Sequence, residues 1–367
     1  MGIQDTINKA EASTLKPLLK SSGAFVKGFV PPDYIIEGVL LRSFVYAFTA
    51  PMSSGKTAVA LRMAVHIALG LKLLDREVDK GCVLYFAGEN YVDVTVRWIK
   101  LCEEMDVNPD DVDVHFLPSA PDLSDNDIRQ QIENEVAEIG RPIVLLIVDT
   151  SAAYFTGDSE QDRMQMRDHA AMFRSFTVLP GQPAVLVLCH PVKQFDPAKI
   201  VPAGGGTFLN AIDGNLVCLR ETGSMAVDVH WHAKIVGVSD FPPLPFKLKV
   251  EYSDKLKDSK GRSLTTVIAE PITDTESDVI DEKASDEQNE VLSLLLEKSG
   301  LSLAAMAKEL GWFYKDRMTP NKTKINRALH ALENRKLATV KSGDWELTKA
   351  GRAAASPRQP AQGEMAY

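Results

Sequence analysis

The chain has 367 residues, of which 45% are hydrophobic, 25% charged and 7% aromatic. This composition is that of a folded globular protein, and the length suits two domains better than one. No apolar stretch reaches the roughly 20 residues that a transmembrane helix needs. The N-terminus lacks a basic segment followed by an apolar run, so we expect no secretory signal. The net charge of −9 gives no support for a general nucleic-acid coat, although an acidic body can carry a small basic surface.

The four cysteines, Cys82, Cys102, Cys189 and Cys218, show no CxxC spacing. Three of them fall inside apolar, strand-like runs. We therefore expect small buried apolar side chains rather than metal ligands or disulfides. Together with the missing signal, this predicts a cytoplasmic protein.

Apolar runs alternate with helical stretches from Tyr34 to about Val250, which predicts an α/β fold. The early runs are continuous rather than alternating, as expected for strands of a mostly parallel sheet that is buried on both faces. Helices such as 56–70 and 92–105 would supply the crossovers. The late runs are closely spaced and predict antiparallel hairpins at one edge. The predicted strands are 43–49, 82–87, 112–116, 143–149, 184–189, 215–219, 227–232 and 246–250.

The composition also divides the chain into segments. Residues 1–30 are weakly patterned and predict an arm that precedes the main α/β domain, 31–271. Residues 272–288 are acidic and poor in large apolar groups, which is typical of a linker. A small second domain, 289–352, follows, and the tail 353–367 is rich in Ala, Pro and Gln, which predicts disorder.

One segment carries a phosphate-binding pattern. A phosphate loop needs inward backbone N–H groups, a flexible Gly, a cationic side chain and a hydroxyl for Mg²⁺, and the pattern GxxxxGK[ST] supplies them between a strand and a helix. Here Lys56 would reach the terminal phosphates of ATP and Thr57 would ligate Mg²⁺. Ala50 replaces the first Gly, so this position must avoid a positive φ. The predicted loop residues are Ala50, Pro51, Met52, Ser53, Ser54, Gly55, Lys56 and Thr57.

Two further strands end in carboxylates. Asp149 closes the run 143–149 and is predicted to hold the magnesium shell. The next residue is Thr150, so the acid that activates water must come from elsewhere. Glu89 follows the run 82–87 and is predicted to act as the general base. Each carboxylate has an alternative role as a helix cap.

A histidine ends another predicted strand. His190 follows the run 184–189 and would sense the γ-phosphate through a hydrogen bond if its strand lies beside that of Asp149. A purely structural histidine fits the pattern equally well.

The order of these motifs resembles the RecA/DnaB-like ATPases, most closely the plasmid RepA-type helicases and their phage relatives, over about residues 30–250. The resemblance implies a RecA-like core with Glu89 as catalytic carboxylate and Asp149 as magnesium acid. It further implies a hexameric ring that encircles single-stranded DNA, with a primase or a replication initiator as a candidate partner. Pore-facing loops would contact DNA, here the stretch 193–207 with Lys193 and Lys199, although ordinary solvated lysines are the alternative.

The resemblance also implies a cation donated by the neighbouring subunit from the late hairpin. The matching stretch is 229–234, which makes Lys234 the candidate finger and Arg220 the reserve. The family usually carries Arg or Lys-x-Arg at this place, and the departure leaves the strength of activation between subunits open.

Residues 286–352 predict three helices, 288–298, 303–310 and 322–334, followed by a hairpin of 338–341 and 345–348. This is the winged-helix pattern, and the segment has 12 Lys+Arg against 9 Asp+Glu, a net charge of +3. Winged helices bind DNA or dock proteins, and both roles stay open. The basic residues on or beside the third helix are Lys322, Lys324, Arg327, Arg335 and Lys336.

Two functional hypotheses follow. The first is an ATP-driven DNA helicase or translocase, and the second is a nucleotide-switched DNA-binding regulator or recombination accessory ATPase that unwinds nothing. A non-hydrolysing scaffold is disfavoured because Lys56, Glu89 and Asp149 are all present.

Overall fold

The computed structural model describes residues 19–193, 199–220, 223–232, 234–237, 240–298, 300–314, 317–341 and 343–355. The chain divides into two compact units, Met1–Asp33 and Tyr34–Tyr367. In the first unit, the short helix α1 (Ser22–Val26) starts where the side chain of Ser21 accepts a hydrogen bond from the N–H of Ala24. Most of the predicted arm, residues 1–18, lies outside the described residues.

The second unit starts with a small antiparallel pair, β1 (Tyr34–Ile36) and β2 (Leu40–Leu41). The nine further strands described in its main sheet are β3 (Val45–Thr49), β4 (Cys82–Ala87), β5 (Val114–Leu117), β6 (Ile143–Asp149), β7 (Ala184–Cys189), β8 (Gly214–Leu219), β9 (Ala226–Trp231), β10 (Leu244–Lys257) and β11 (Ser263–Pro271). Their order in the sheet is β11-β10-β9-β8-β3-β7-β6-β4-β5. The strands from β8 to β5 in this order are parallel to one another, while β9, β10 and β11 pair antiparallel at one edge. This arrangement confirms the predicted α/β class.

Helices and loops cover both faces of this sheet, because the central strands are apolar on both sides. Every residue of β3, β4, β6 and β7 is buried. Two apolar clusters result, one on each face, with Tyr46 and Phe48 in the first and Val45 and Ala47 in the second. The helices of this part are α2 (Lys56–Leu69), α3 (Tyr91–Glu104), α4 (Asn126–Ile139), α5 (Arg163–Ser175) and α6 (Gly205–Ala211).

The C-terminal segment starts earlier than the sequence predicts. Helix α7 (Asp274–Glu297) begins at a capping box formed by Thr273 and Glu276, so the acidic stretch predicted as a linker is helical from residue 274. The capping box supplies partners for the first backbone N–H groups, which the low apolar content of this stretch does not reveal. Helix α7 is the first of the three predicted helices, which occur with the hairpin in the predicted order. The residues beyond 355 lie outside the described part. The remaining elements are α8 (Leu303–Glu309), α9 (Lys322–Asn334), β12 (Ala338–Lys341), β13 (Asp344–Leu347) and α10 (Lys349–Ala354).

All four cysteines are buried, as the sequence predicts, and burial raises the pKa of the Cys189 thiol to about 12. Within the described residues, no helix is both long and apolar enough to cross a bilayer.

Candidate active site

The phosphate loop connects β3 to α2. Gly55 precedes the helix with φ of 90°, a left-handed conformation that favours glycine. A Cβ at this position would lie 2.6 Å from Cδ2 of Leu248 on β10, so the loop also needs the small residue for packing. Ser53 has a positive φ of 62°, whereas the φ of Ala50 is not positive. Alanine in place of the first glycine of the pattern is therefore compatible with the loop backbone.

Lys56 lies at the first turn of α2 and points along the sheet edge. Its Nζ donates a hydrogen bond to the carbonyl oxygen of Cys189 at 3.2 Å. Burial lowers the pKa of Lys56, while the nearby carboxylates of Asp149 and Glu89 oppose this shift. The ammonium group therefore sits where the carboxyl ends of β6 and β7 and the loop after β4 meet.

Asp149 is only 4% exposed and is not a helix cap. Its Oδ2 accepts a hydrogen bond of 2.7 Å from the hydroxyl of Tyr85. Burial raises the pKa of Asp149, whereas the Tyr85 hydroxyl and the side chain of Thr57 act in the opposite direction. A carboxylate close to a threonine side chain offers the oxygen ligands that Mg²⁺ prefers.

Glu89 lines the same cleft as Asp149, and its surroundings remove the alternative role as a helix cap. The side chain of Asn90 caps α3 by accepting from the N–H of Asp93 at 3.1 Å. The backbone N–H groups of Gly88 and Glu89 both donate to the carbonyl of Asp149. These two hydrogen bonds connect the end of β4 to the end of β6. The Glu89 side chain itself is about half exposed.

His190 follows β7 on the same side of the cleft. Its Nε2 lies 3.9 Å from Oε2 of Glu89, which is too far for a hydrogen bond. Burial lowers the pKa of His190, and the charge of Lys56 adds to this effect while Glu89 opposes it. Both effects favour the neutral imidazole, which would serve as a hydrogen-bond partner for a phosphate oxygen.

These side chains line one cleft together with the phosphate loop. The cleft continues past Asn90 to Asp93, Val94 and Arg97 on α3, which leaves room for the nucleoside end of ATP. The donor set fits the predicted cofactors, since backbone N–H groups and Lys56 would hold the phosphates and Thr57 with Asp149 would hold Mg²⁺. When bound, the metal would neutralise charge on the phosphate oxygens.

The candidate finger residues lie away from this cleft. The Nζ of Lys234 donates to the carbonyls of Leu209 and Asn210, each at 3.0 Å, at the C-terminal end of α6. A cation at a helix C-terminus stabilises the helix, so Lys234 has a structural role within this chain. Arg220 is exposed after β8. Whether either one completes a neighbouring site stays a prediction.

The loop after β7 carries the lysines predicted to contact DNA. Lys193 and Lys199 are both exposed, and residues 194–198 between them lie outside the described part. A second cavity beside the phosphate loop is lined by Met52, His190, Lys193 and neighbouring residues. Gly204, which precedes α6, also lines this cavity.

The basic third helix of the C-terminal segment, α9, is partly neutralised. The carboxylate of Glu287 on α7 accepts from Arg327 at 2.8 Å and lies 3.2 Å from Nζ of Lys324. Arg335 donates to the side chain of Gln288 at 2.9 Å. Three of the five predicted basic side chains thus contact α7, which leaves a smaller cationic face than the sequence suggests.

The sequence analysis did not identify Tyr85, whose hydroxyl bonds Asp149, or Asn90, whose side chain caps the helix that follows Glu89. Tyr85 stands inside a continuous apolar run, and only the pairing of β4 with β6 brings its hydroxyl to Asp149. Asn90 carries the ordinary signal of a helix N-cap, a side-chain acceptor before an amphipathic helix, and this signal would have separated Glu89 from the capping role.

The comparisons with known proteins agree with this geometry. A family model described as an AAA domain matches residues 10–196, which contain the phosphate loop, Glu89, Asp149 and His190. Among curated proteins, none matches the chain. The chain belongs to the AAA domain family and is a nucleotide-dependent ATPase of the P-loop type.

Proposed function

We propose that this chain is an ATP-driven helicase or translocase of plasmid or phage replication type, which acts as a ring on single-stranded DNA. The observation that supports it most is the convergence of Lys56, Glu89 and Asp149 in one cleft, with His190 between that cleft and a loop bearing exposed lysines. A motor needs hydrolytic groups and a polymer-binding element close together, and this arrangement supplies both.

The hydrolytic roles follow from the contacts. Asp149 is buried and its carboxylate is held by the Tyr85 hydroxyl, which suits a fixed metal ligand. Glu89 is left half exposed at the cleft, which suits a base that must reach a water molecule. His190 lines both the nucleotide cleft and the neighbouring cavity. A hydrogen bond from His190 to the γ-phosphate would therefore couple the nucleotide state to the loop that follows β7.

The DNA-binding role rests on the loop rather than on the C-terminal helix. Lys193 and Lys199 are exposed in the loop after β7, and Lys193 lines the cavity beside the phosphate loop, whereas Lys324 and Arg327 share the carboxylate of Glu287. Lysines that have no carboxylate partner among the described residues would neutralise phosphates more effectively than cations that already have one.

A matched pair of variants tests this assignment. We expect Lys193→Ala/Lys199→Ala to weaken single-stranded DNA binding and to flatten its salt dependence, with the magnitude of the slope reduced by about 1.4. Lys324→Ala/Arg327→Ala removes the same charge and should change the affinity far less. Fluorescence anisotropy with a labelled oligothymidylate, measured over a range of salt concentrations, gives both quantities. The reverse ranking would move the DNA site to the C-terminal segment.

The second candidate is a nucleotide-switched regulator that unwinds nothing, and the partly neutralised face of α9 favours it, because such a segment would serve as a docking surface for protein. A forked DNA substrate separates the two. The helicase proposal predicts strand separation that requires ATP and disappears in Glu89→Gln. Tight DNA binding with hydrolysis but no strand separation would favour the regulator.

A further inference from the structure

A buried hydrogen-bond network connects the strand that delivers the phosphate loop to the loop after β7. At its centre is Asn215, the second residue of β8, which is completely buried. Its Oδ1 accepts from the hydroxyl of Thr49 at 2.6 Å, and Thr49 is the last residue of β3, directly before Ala50. One side of the Asn215 amide is therefore fixed to the start of the phosphate loop.

The other side of the amide holds Ile200. Nδ2 of Asn215 donates to the carbonyl of Ile200 at 3.1 Å and to the carbonyl of His232 at 3.1 Å. The N–H of Ile200 donates to Nε2 of His232 at 3.0 Å, which makes Nε2 the unprotonated ring nitrogen. Both backbone polar groups of this buried loop residue are thus paired with the Asn215 and His232 side chains.

Ile200 in turn fixes the stretch that carries His190. The N–H of Val192 donates to the carbonyl of Val201 at 3.1 Å, and the N–H of Ala203 donates to the carbonyl of His190 at 2.8 Å. These bonds tie residues 201–203 to residues 190–192. A movement of Thr49 would therefore reach His190 through Asn215 and Ile200, as well as through the direct neighbourhood of the strands.

We propose that Asn215 and His232 are positioning residues that couple the phosphate loop to His190 and to residues 199–203, which begin at the exposed Lys199. We name the four residues Thr49, Asn215, Ile200 and His232 the Asn215 bridge. Neither Asn215 nor His232 lines the nucleotide cleft, so their effect is on the geometry of other groups. The coupling to DNA rests on the proposed function, whereas the coupling between nucleotide and loop does not.

The test uses the full chain and two substitutions at one position. His232→Leu removes the acceptor for the Ile200 N–H, while His232→Gln supplies a side-chain oxygen in its place. The adjacent His230→Leu is the matched control, because Nδ1 of this half-buried imidazole has no partner among the described residues. Asn215→Ala removes the centre of the bridge, and thermal unfolding shows whether each variant folds.

Hydrogen exchange followed by mass spectrometry measures whether the Asn215 bridge protects the backbone N–H groups of the loop. We expect faster exchange in peptides that cover residues 199–203 for His232→Leu and Asn215→Ala, and wild-type exchange for His232→Gln and His230→Leu. In the wild type, a non-hydrolysable ATP analogue should slow exchange in this segment, and this response should be lost in His232→Leu. Wild-type exchange and an intact nucleotide response in folded His232→Leu would overturn the proposal. If Asn215→Ala does not fold, the two His232 variants still decide.

Hydrolysis with and without oligothymidylate reads the coupling to DNA. We expect the ratio of stimulated to basal turnover to fall at least about fivefold in His232→Leu, with nucleotide affinity and basal turnover close to wild type. His232→Gln should restore the ratio, which a merely structural loss would not allow. If DNA does not stimulate even the wild type, the proposed function fails, and the exchange experiment alone decides on the Asn215 bridge.

Discussion

The hydrogen bond between Tyr85 and Asp149 offers a sharp test of the metal site. Tyr85→Phe removes one hydroxyl and leaves the ring packed against Phe116, whose centroid is 5.5 Å away. The lost bond joins two buried groups at 2.7 Å, and a hydrogen bond to a charged partner contributes about 1.5–3 kcal/mol. We expect a loss of this size in the free energy of unfolding at pH 7.5, measured by urea denaturation.

The same substitution should weaken the use of Mg²⁺. The Tyr85 hydroxyl bonds Oδ2 of Asp149, so its removal leaves the carboxylate without the partner that orients it. Loss of a partner that orients a metal ligand typically lowers metal affinity by about 10–100-fold. We expect the Mg²⁺ concentration for half-maximal ATP hydrolysis to rise by a similar factor.

Tyr154→Phe is the matched control for both measurements. Tyr154 is also buried, and its hydroxyl donates to the carbonyl of Ser119 at 2.8 Å. It should lose about 0.5–1.5 kcal/mol of stability without a change in the Mg²⁺ requirement. If Tyr85→Phe shows the same Mg²⁺ dependence as Tyr154→Phe, the assignment of Asp149 as the metal acid is refuted.

Three further predictions concern titration and packing. Because burial raises the pKa of Asp149 above 3.8, the metal-free wild type should lose stability as the pH rises through the native pKa. Asp149→Asn should therefore be more stable than wild type at pH 7.5 without metal. Equal stability of the two proteins would contradict the raised pKa of Asp149. Burial lowers the pKa of His169 from 6.5 to about 4, so the free energy of unfolding of wild type should fall by up to about 3 kcal/mol as the pH drops from 6.5 to 4. Urea unfolding of wild type and His169→Gln across this range measures the loss. A stability difference between the two proteins that does not change with pH would contradict the lowered pKa. Lys234→Met should cost about 1 kcal/mol through the lost bonds to α6, and a variant as stable as wild type would show that these bonds contribute nothing.

The central strands could be predicted from the sequence because their apolar runs are continuous. The predicted bounds 82–87, 143–149 and 184–189 coincide with β4, β6 and β7. Strand β11 was missed, since its sequence mixes Ser, Thr and apolar residues and is stabilised by pairing with β10. The helical start of α7 was missed because its acidic composition resembles a linker, although the capping box at Thr273 was readable.

The phosphate loop could be predicted because all its residues are consecutive. The acids required the additional order of motifs, since Glu89 and Asp149 meet only when β4 and β6 pair. The Asn215 bridge could not be predicted, because its members lie on β3, β8 and two separate loops. Such contacts between distant residues have no periodicity or spacing in the sequence.

ATP hydrolysis by the purified protein, with and without single-stranded DNA, tests the central claim most directly. Lys56→Ala serves as the blank for contaminating activity, because it removes the cation that would hold the terminal phosphates. The account predicts hydrolysis that is strongly stimulated by single-stranded DNA and is lost in Glu89→Gln, which should still bind ATP. Hydrolysis that is indifferent to DNA, or that persists at the wild-type rate in Glu89→Gln, would contradict it.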